Sequence, residues 1–157
     1  MNIDILKAHL RYDPETGHFT WLVKMRGPVE AGDRAGRPKP SGYLTIKFQQ
    51  KDYYAHRLAF FYMTGAWPNV QIDHKNRDRS DNRWGNLRPA TGTQNKGNTT
   101  GHARNTSGFK GVSLHVTTGL WRARLGKRTL GYCKTKEEAH AVYVAAAAEK
   151  FGEFARG

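Results

Sequence analysis

Val70-Gln71-Ile72-Asp73-His74, then Asn82-Arg83-Trp84-Gly85-Asn86-Leu87-Arg88, then Thr93-Gln94-Asn95 hold the densest chemistry of the chain. Asp73 and Asn95 offer hard oxygen donors, which suit Mg²⁺ or Mn²⁺ rather than a soft-ligand metal. Two such donors alone make a poor site in water. His74 has an ordinary pKa near 6.5. Its neutral ring can take a proton from water at physiological pH. Neighbours on a regular strand point to opposite faces. Asp73 and His74 therefore share a target only if the strand ends or bends there, which the loop from Lys75 to Arg83 permits.

Together with Tyr54-Ala55-His56-Arg57-Leu58 upstream, these segments resemble the HNH endonuclease family, in its phage and intron-encoded branch, over roughly residues 40–100. The resemblance implies a ββα-metal fold with its core at about 69–97. It implies that Asp73 and Asn95 hold one Mg²⁺ or Mn²⁺ ion and that His74 activates the attacking water. Asn86, with Asn82, is implied as structural support that fixes the loop between two strands. Many relatives carry a final His where this chain has Asn95, and a neutral amide binds a metal more weakly. Arg77, Arg79, Arg83 and Arg88 surround the motif and are candidates for flanking phosphates; the alternative for each is a solvated cationic loop.

Other readings of these residues fail. An EF-hand loop begun at Asn76 has Asp81 where Gly is needed and Leu87 where Glu is needed. A zinc site from His56, His74, His102 and His115 lacks short paired spacing. His56 is read as capping or packing against its own helix, and His18, His102, His115 and His140 as ordinary partly buried histidines.

The charge fits a polyanionic partner. The 157 residues carry 26 Lys+Arg against 13 Asp+Glu, for a net +13. The excess is +4 in residues 1–70, +4 in 71–105 and +5 in 106–157, so it is no basic tail. Neutralised phosphates release counterions, which makes nucleic acid the usual reason for such a balance in a folded chain. Aromatic residues at 11% argue against disorder. The single Cys133 excludes an internal disulfide framework and a Cys-rich zinc site. With neither a leader-like segment nor an apolar run of about 20 residues, a cytoplasmic location in a bacterial or phage-infected cell is expected.

Local patterning supplies the frame. Asn2 caps a helix to Leu10, Asp13 to Gly17 turns, and Phe19 to Val23 reads as a strand. Residues 25–41 read as a loop. Leu44, Ile46 and Phe48 alternate with Lys47 as in a half-buried strand. Gln50-Lys51 turns into a strand from Asp52 to Ala55, and a helix from His56 to Thr64 stops at Gly65. Residues 97–105 are small and polar, a linker composition. Strand-like runs follow at 109–115, 120–125 and 128–133, then a helix from about Thr135 to Lys150 that opens with the capping box Thr135/Glu138. Its apolar stripe is Ala139, Val142, Tyr143, Ala146 and Ala147.

Ser107-Gly108-Phe109-Lys110-Gly111-Val112, Leu120-Trp121-Arg122-Ala123-Arg124-Leu125, Leu130-Gly131-Tyr132 and Phe151-Gly152-Glu153 resemble the Apetala/ethylene-response-factor DNA-binding domain. That resemblance implies a three-stranded antiparallel sheet packed on one helix. Trp121, Ala123 and Leu125 should then face the helix, and Arg122 and Arg124 should point outward. Lys110, Ser113, His115 and Lys127 are the matching strand positions for DNA contact, and a sheet with outward cations can enter the major groove.

The expectation is an α+β chain with an HNH nuclease domain at 1–98, a linker at 99–106 and an Apetala-like DNA-binding domain at 107–157. The expected activity is that of a metal-dependent endodeoxyribonuclease acting on double-stranded DNA. One centre cuts one strand, so a monomer nicks, and homing biology follows from the resemblance alone. The alternative is a non-catalytic, sequence-preferring DNA-binding regulator that retains the nuclease fold.

Overall fold

The computed structural model describes residues 1–99 and 105–156. His102 and the middle of the expected linker lie outside the described residues. The chain is mixed helix and sheet and divides into two compact units, Met1–Ala90 and Thr91–Gly157. The division falls after Ala90, ahead of the boundary expected at 98.

In the first unit, α1 (Ile3–His9) begins at Asn2, whose Oδ1 accepts from the Asp4 amide at 2.7 Å. β1 (Leu10–Tyr12) and β2 (Phe19–Trp21) pair antiparallel. The turn between them is tied by Asp13 Oδ1, which accepts from the Glu15 amide at 2.9 Å. β2 stops two residues before the expected end, and Leu22 and Val23 are exposed. The expected loop at 25–41 contains two short strands, β3 (Arg34–Ala35) on β2 and β4 (Arg37–Pro38) on β5 (Leu44–Phe48). Glycine, proline and charge mask such two-residue pairings from any periodicity reading. β5 pairs with β6 (Lys51–Tyr54) through Gln49 and Gln50, both at positive φ. The turn is thus one residue earlier than expected, because a two-residue hairpin loop of the primed kind needs both central residues there.

Next, α2 (Ala55–Thr64) ends at Gly65 in the left-handed region. β7 (Gln71–His74) and β8 (Leu87–Ala90) form a two-stranded antiparallel sheet. Leu6, Leu10, Phe19, Ile46, Phe48 and Leu58 fill one core. Each such side chain contributes about 1.5–3 kcal/mol by leaving water, which fixes α1, α2 and the hairpins behind β7.

In the second unit, α3 (Gly92–Gly97) opens with a capping box between Thr91 and Gln94. β9 (Val112–His115), β10 (Leu120–Leu125) and β11 (Arg128–Cys133) form an antiparallel sheet in the order β11-β10-β9. α4 (Lys136–Phe151) packs on that sheet. The Thr135/Glu138 box is present, with Thr135 Oγ1 accepting from the Glu138 amide at 3.2 Å. Ala139, Tyr143 and Ala147 are buried, whereas Val142 is exposed.

β9 begins at Val112, so Lys110 stands in the turn before it, and Lys127 stands in the turn between β10 and β11. Gly111 and Gly126 at positive φ make these turns. A register shift between Ala123 and Arg124 resets the β10 alternation. Ala123 and Trp121 join the small core, but Leu125 does not. No described helix is long and apolar enough to cross a membrane.

Candidate active site

β7 carries Asp73 and His74, both buried, at 6% and 4% exposure. Its register sets Asp73 directly opposite Arg88 and His74 opposite Leu87. Arg88 Nε and Nη2 both reach Asp73 Oδ2 at 3.0 Å, and neither side chain is more than about a tenth exposed. Arg88, expected at a flanking phosphate, is therefore engaged with the expected metal ligand.

His74 is built from the other side. Its Nε2 lies 3.2 Å from Asn82 Oδ1, and Asn82 Nδ2 donates to the Ser80 carbonyl at 3.1 Å. The amide nitrogen of Asn82 is thus committed to Ser80, which turns its oxygen toward the imidazole. An amide oxygen only accepts, so Nε2 carries the hydrogen and Nδ1 is the basic nitrogen of neutral His74. Burial lowers the His74 pKa; the Asn82 bond and the charges of Asp73, Asp81 and Asp78 oppose this only in part. Neutral His74 is the form a general base needs.

The loop after β7 is held by Asn86. Its Oδ1 accepts from the Asn76 amide at 3.0 Å, and its Nδ2 donates to Asn76 Oδ1 at 3.0 Å and to the Asp81 carbonyl at 2.8 Å. Arg83 grips Asp81 through Nε at 2.8 Å and Nη2 at 2.6 Å and holds its carboxyl well below the usual range. Arg79 Nη1 donates to the Ser41 carbonyl at 2.8 Å, and its guanidinium lies over the Tyr43 ring. Arg77 is exposed at φ +68. Three of the four expected phosphate-binding arginines thus already have partners within the fold.

Residues 1–40 buttress this centre, a task no local pattern announced. Tyr12 Oη donates to the Asn82 carbonyl at 2.7 Å, and the Trp84 amide donates to the Pro14 carbonyl at 2.9 Å. Gly17, at φ +72, lies so close that a Cβ would sit 2.4 Å from the Asn82 carbonyl carbon and the Arg83 amide nitrogen.

His56 also belongs here. It opens α2 but stacks on Tyr54, tilts against Tyr43, and meets His74 edge to face at 5.0 Å between ring centroids. Its Nδ1 is buried without a hydrogen-bond partner. Burial first, then the charge of His74 and Arg57, press its pKa down to about 3.

Asn95 stands half-buried on α3 of the second unit. Among the described residues no group of three His, Cys, Asp or Glu side chains could hold a metal. The oxygens of Asp73 and Asn95 suit a hard divalent ion in kind.

On the sheet of the second unit, Arg122 lies opposite Ser113 and Tyr132, and its Nη2 reaches Ser113 Oγ at 3.4 Å. His115 Nδ1 is 3.0 Å from Thr118 Oγ1, and its ring meets Tyr132. Arg124 and Lys127 are exposed, and Lys110 Nζ donates to the Gly97 carbonyl at 2.6 Å. Tyr132 is exposed beside Arg122; its place opposite Arg122 follows from strand register, which the sequence alone did not fix.

No curated protein and no solved structure matches the chain. Residues 53–96 match the family of HNH endonucleases, a span holding His56, Asp73, His74, Asn82, Asn86, Arg88 and Asn95. That match supports an HNH endonuclease domain in this segment, and with it a nuclease function on DNA.

Proposed function

We propose that this protein hydrolyses phosphodiester bonds of double-stranded DNA through a centre built on Asp73 and His74. The observation that carries the reading is the Ser80–Asn82–His74 relay, which holds a neutral imidazole in one tautomer inside the matched segment. His74 Nδ1 takes a proton from water as the water oxygen bonds to phosphorus and the bond to the leaving sugar oxygen breaks. Asn82 orients the imidazole and Asn86 keeps the loop around it closed. A Mg²⁺ or Mn²⁺ ion taken by Asp73 and Asn95, the ligands the sequence motif assigns, would supply Lewis acidity at the phosphate. The sheet of β9 to β11, with its resemblance to the Apetala/ethylene-response-factor domain, is assigned to DNA docking through Ser113, His115, Arg122, Arg124 and the flanking Lys110 and Lys127. One centre per chain makes the product a nick, and a homing role would follow from the same resemblance.

A second reading has its own support. Arg88 pairs with Asp73, an arrangement compatible with a DNA-binding protein that kept the fold without its metal. Supercoiled plasmid incubated with the protein and Mg²⁺ or Mn²⁺ separates the two. The nuclease reading expects relaxed circles with wild type and none with His74→Ala. Intact plasmid with either metal favours the regulator.

A further inference from the structure

Within the second unit, α3, the end of β10 and the last turns of α4 border an open cavity of about 810 Å³. That volume falls among ordinary ligand sites, which span roughly 300–1,000 Å³. Lys96, Lys110, Arg122, Arg124 and Lys150 line it, and no carboxylate does. Lys110 donates to the Gly97 carbonyl. The other four form no ion pair among the described residues. Arg122 Nε is buried with no hydrogen-bond partner, and its Nη2 has only a long contact to Ser113. A buried guanidinium N–H without an acceptor is costly, and like charges gathered without a counter-charge repel. An anion in the cavity relieves both. The walls are set in place: Gly97 meets Phe151 so closely that a Cβ there would lie 2.8 Å from its ring, and Gly111 lies against Tyr143.

We propose that this cavity is a binding site for the phosphodiester backbone of DNA, with Lys96 and Lys150 as anchors that the outward sheet face does not supply. The inference rests on the reading that DNA is the substrate. Lysines act as point charges without the fork geometry that reads bases, so the site grips backbone rather than sequence.

The test is the salt dependence of binding to duplex and to single-stranded DNA, measured by fluorescence anisotropy in EDTA so that nothing is cut. Lys96→Gln with Lys150→Gln removes two phosphate contacts. The slope of log K against log salt should flatten by about 1.8 on duplex or about 1.4 on single strand, and the form of DNA that loses slope is the one the cavity holds. Lys96→Arg with Lys150→Arg should keep the wild-type slope. An unchanged slope in the Gln pair overturns the proposal, as does an equal loss in the Arg pair, which would make shape rather than charge the cause. Wild type that binds DNA but leaves plasmid uncut defeats the nuclease reading and spares the cavity. Wild type that binds neither form defeats both.

Discussion

Acid should unfold the first unit earlier than an average domain, and His56 should be the main reason. Its ring is 7% exposed and packed by Tyr43, Tyr54 and His74, with Arg57 next to it in α2. Among the described residues no carboxylate offsets the cost of its proton. Folding lowers its pKa from 6.5 to about 3. A group whose pKa falls on folding contributes stability that is fully present above the unfolded value and lost as pH drops toward the folded one. The loss is about 1.4 kcal/mol per pH unit, hence about 2 kcal/mol by pH near 5 and about 5 kcal/mol by pH near 3. Burial lowers His74 too, so it adds a loss of the same sign. The assay is urea unfolding followed by tryptophan fluorescence at about pH 7.5 and about pH 5, since Trp21, Trp67 and Trp84 all lie in the first unit. Wild type should lose about 2 kcal/mol more than His56→Gln between the two conditions. Equal losses in the two proteins would refute the claim that His56 is held neutral by burial.

Four further outcomes follow from the same geometry. Asp73→Asn leaves Arg88 charged and buried, so stability should fall by about 3–5 kcal/mol in urea unfolding, and adding Arg88→Leu should restore most of it; a cost near zero for the single change would mean that the pair is not a buried one. Gly17→Ala forces a left-handed backbone on alanine and drives its Cβ into residues 82 and 83, so about 3 kcal/mol or more should be lost and nicking should fall with it; an unchanged melting temperature would contradict the close packing of that turn. Asn82→Leu removes the acceptor that fixes the His74 tautomer and should cut the nicking rate on the order of 10–100-fold, as loss of a ligand-orienting partner does elsewhere. The wild-type rate, which needs neutral His74, should hold down to a pH below 6.5 and then fall; a midpoint above that value would mean that a different group limits the reaction.

What could be read from the sequence was local. The Asn2 cap, the alternation from Leu44 to Phe48 and the Thr135/Glu138 box each rest on residues within a few positions of one another, and each is in the structure. α3 has a box of the same kind at Thr91 and Gln94, but no apolar repeat marks a helix bounded by glycines. The Asp73–Arg88 pair needed the register of β7 on β8, which no spacing gives. The same holds for His56. A histidine at a helix start is ordinarily a packing residue, and it is one here, but the ring it packs against is the one assigned to the chemistry. The N-terminal segment shows the reason most sharply. Tyr12 and Gly17 brace Asn82, and Pro14 braces Trp84, each across a long stretch of chain. A base poised on one tautomer must be fixed to a fraction of an ångström. An exposed loop such as 75–83 cannot hold Asn82 that well unaided, because its own bonds are short-range turns open to solvent. The first strands and their turn supply a second wall, and closing that distant contact is what gives Tyr12, Pro14 and Gly17 a part in positioning the loop beside His74.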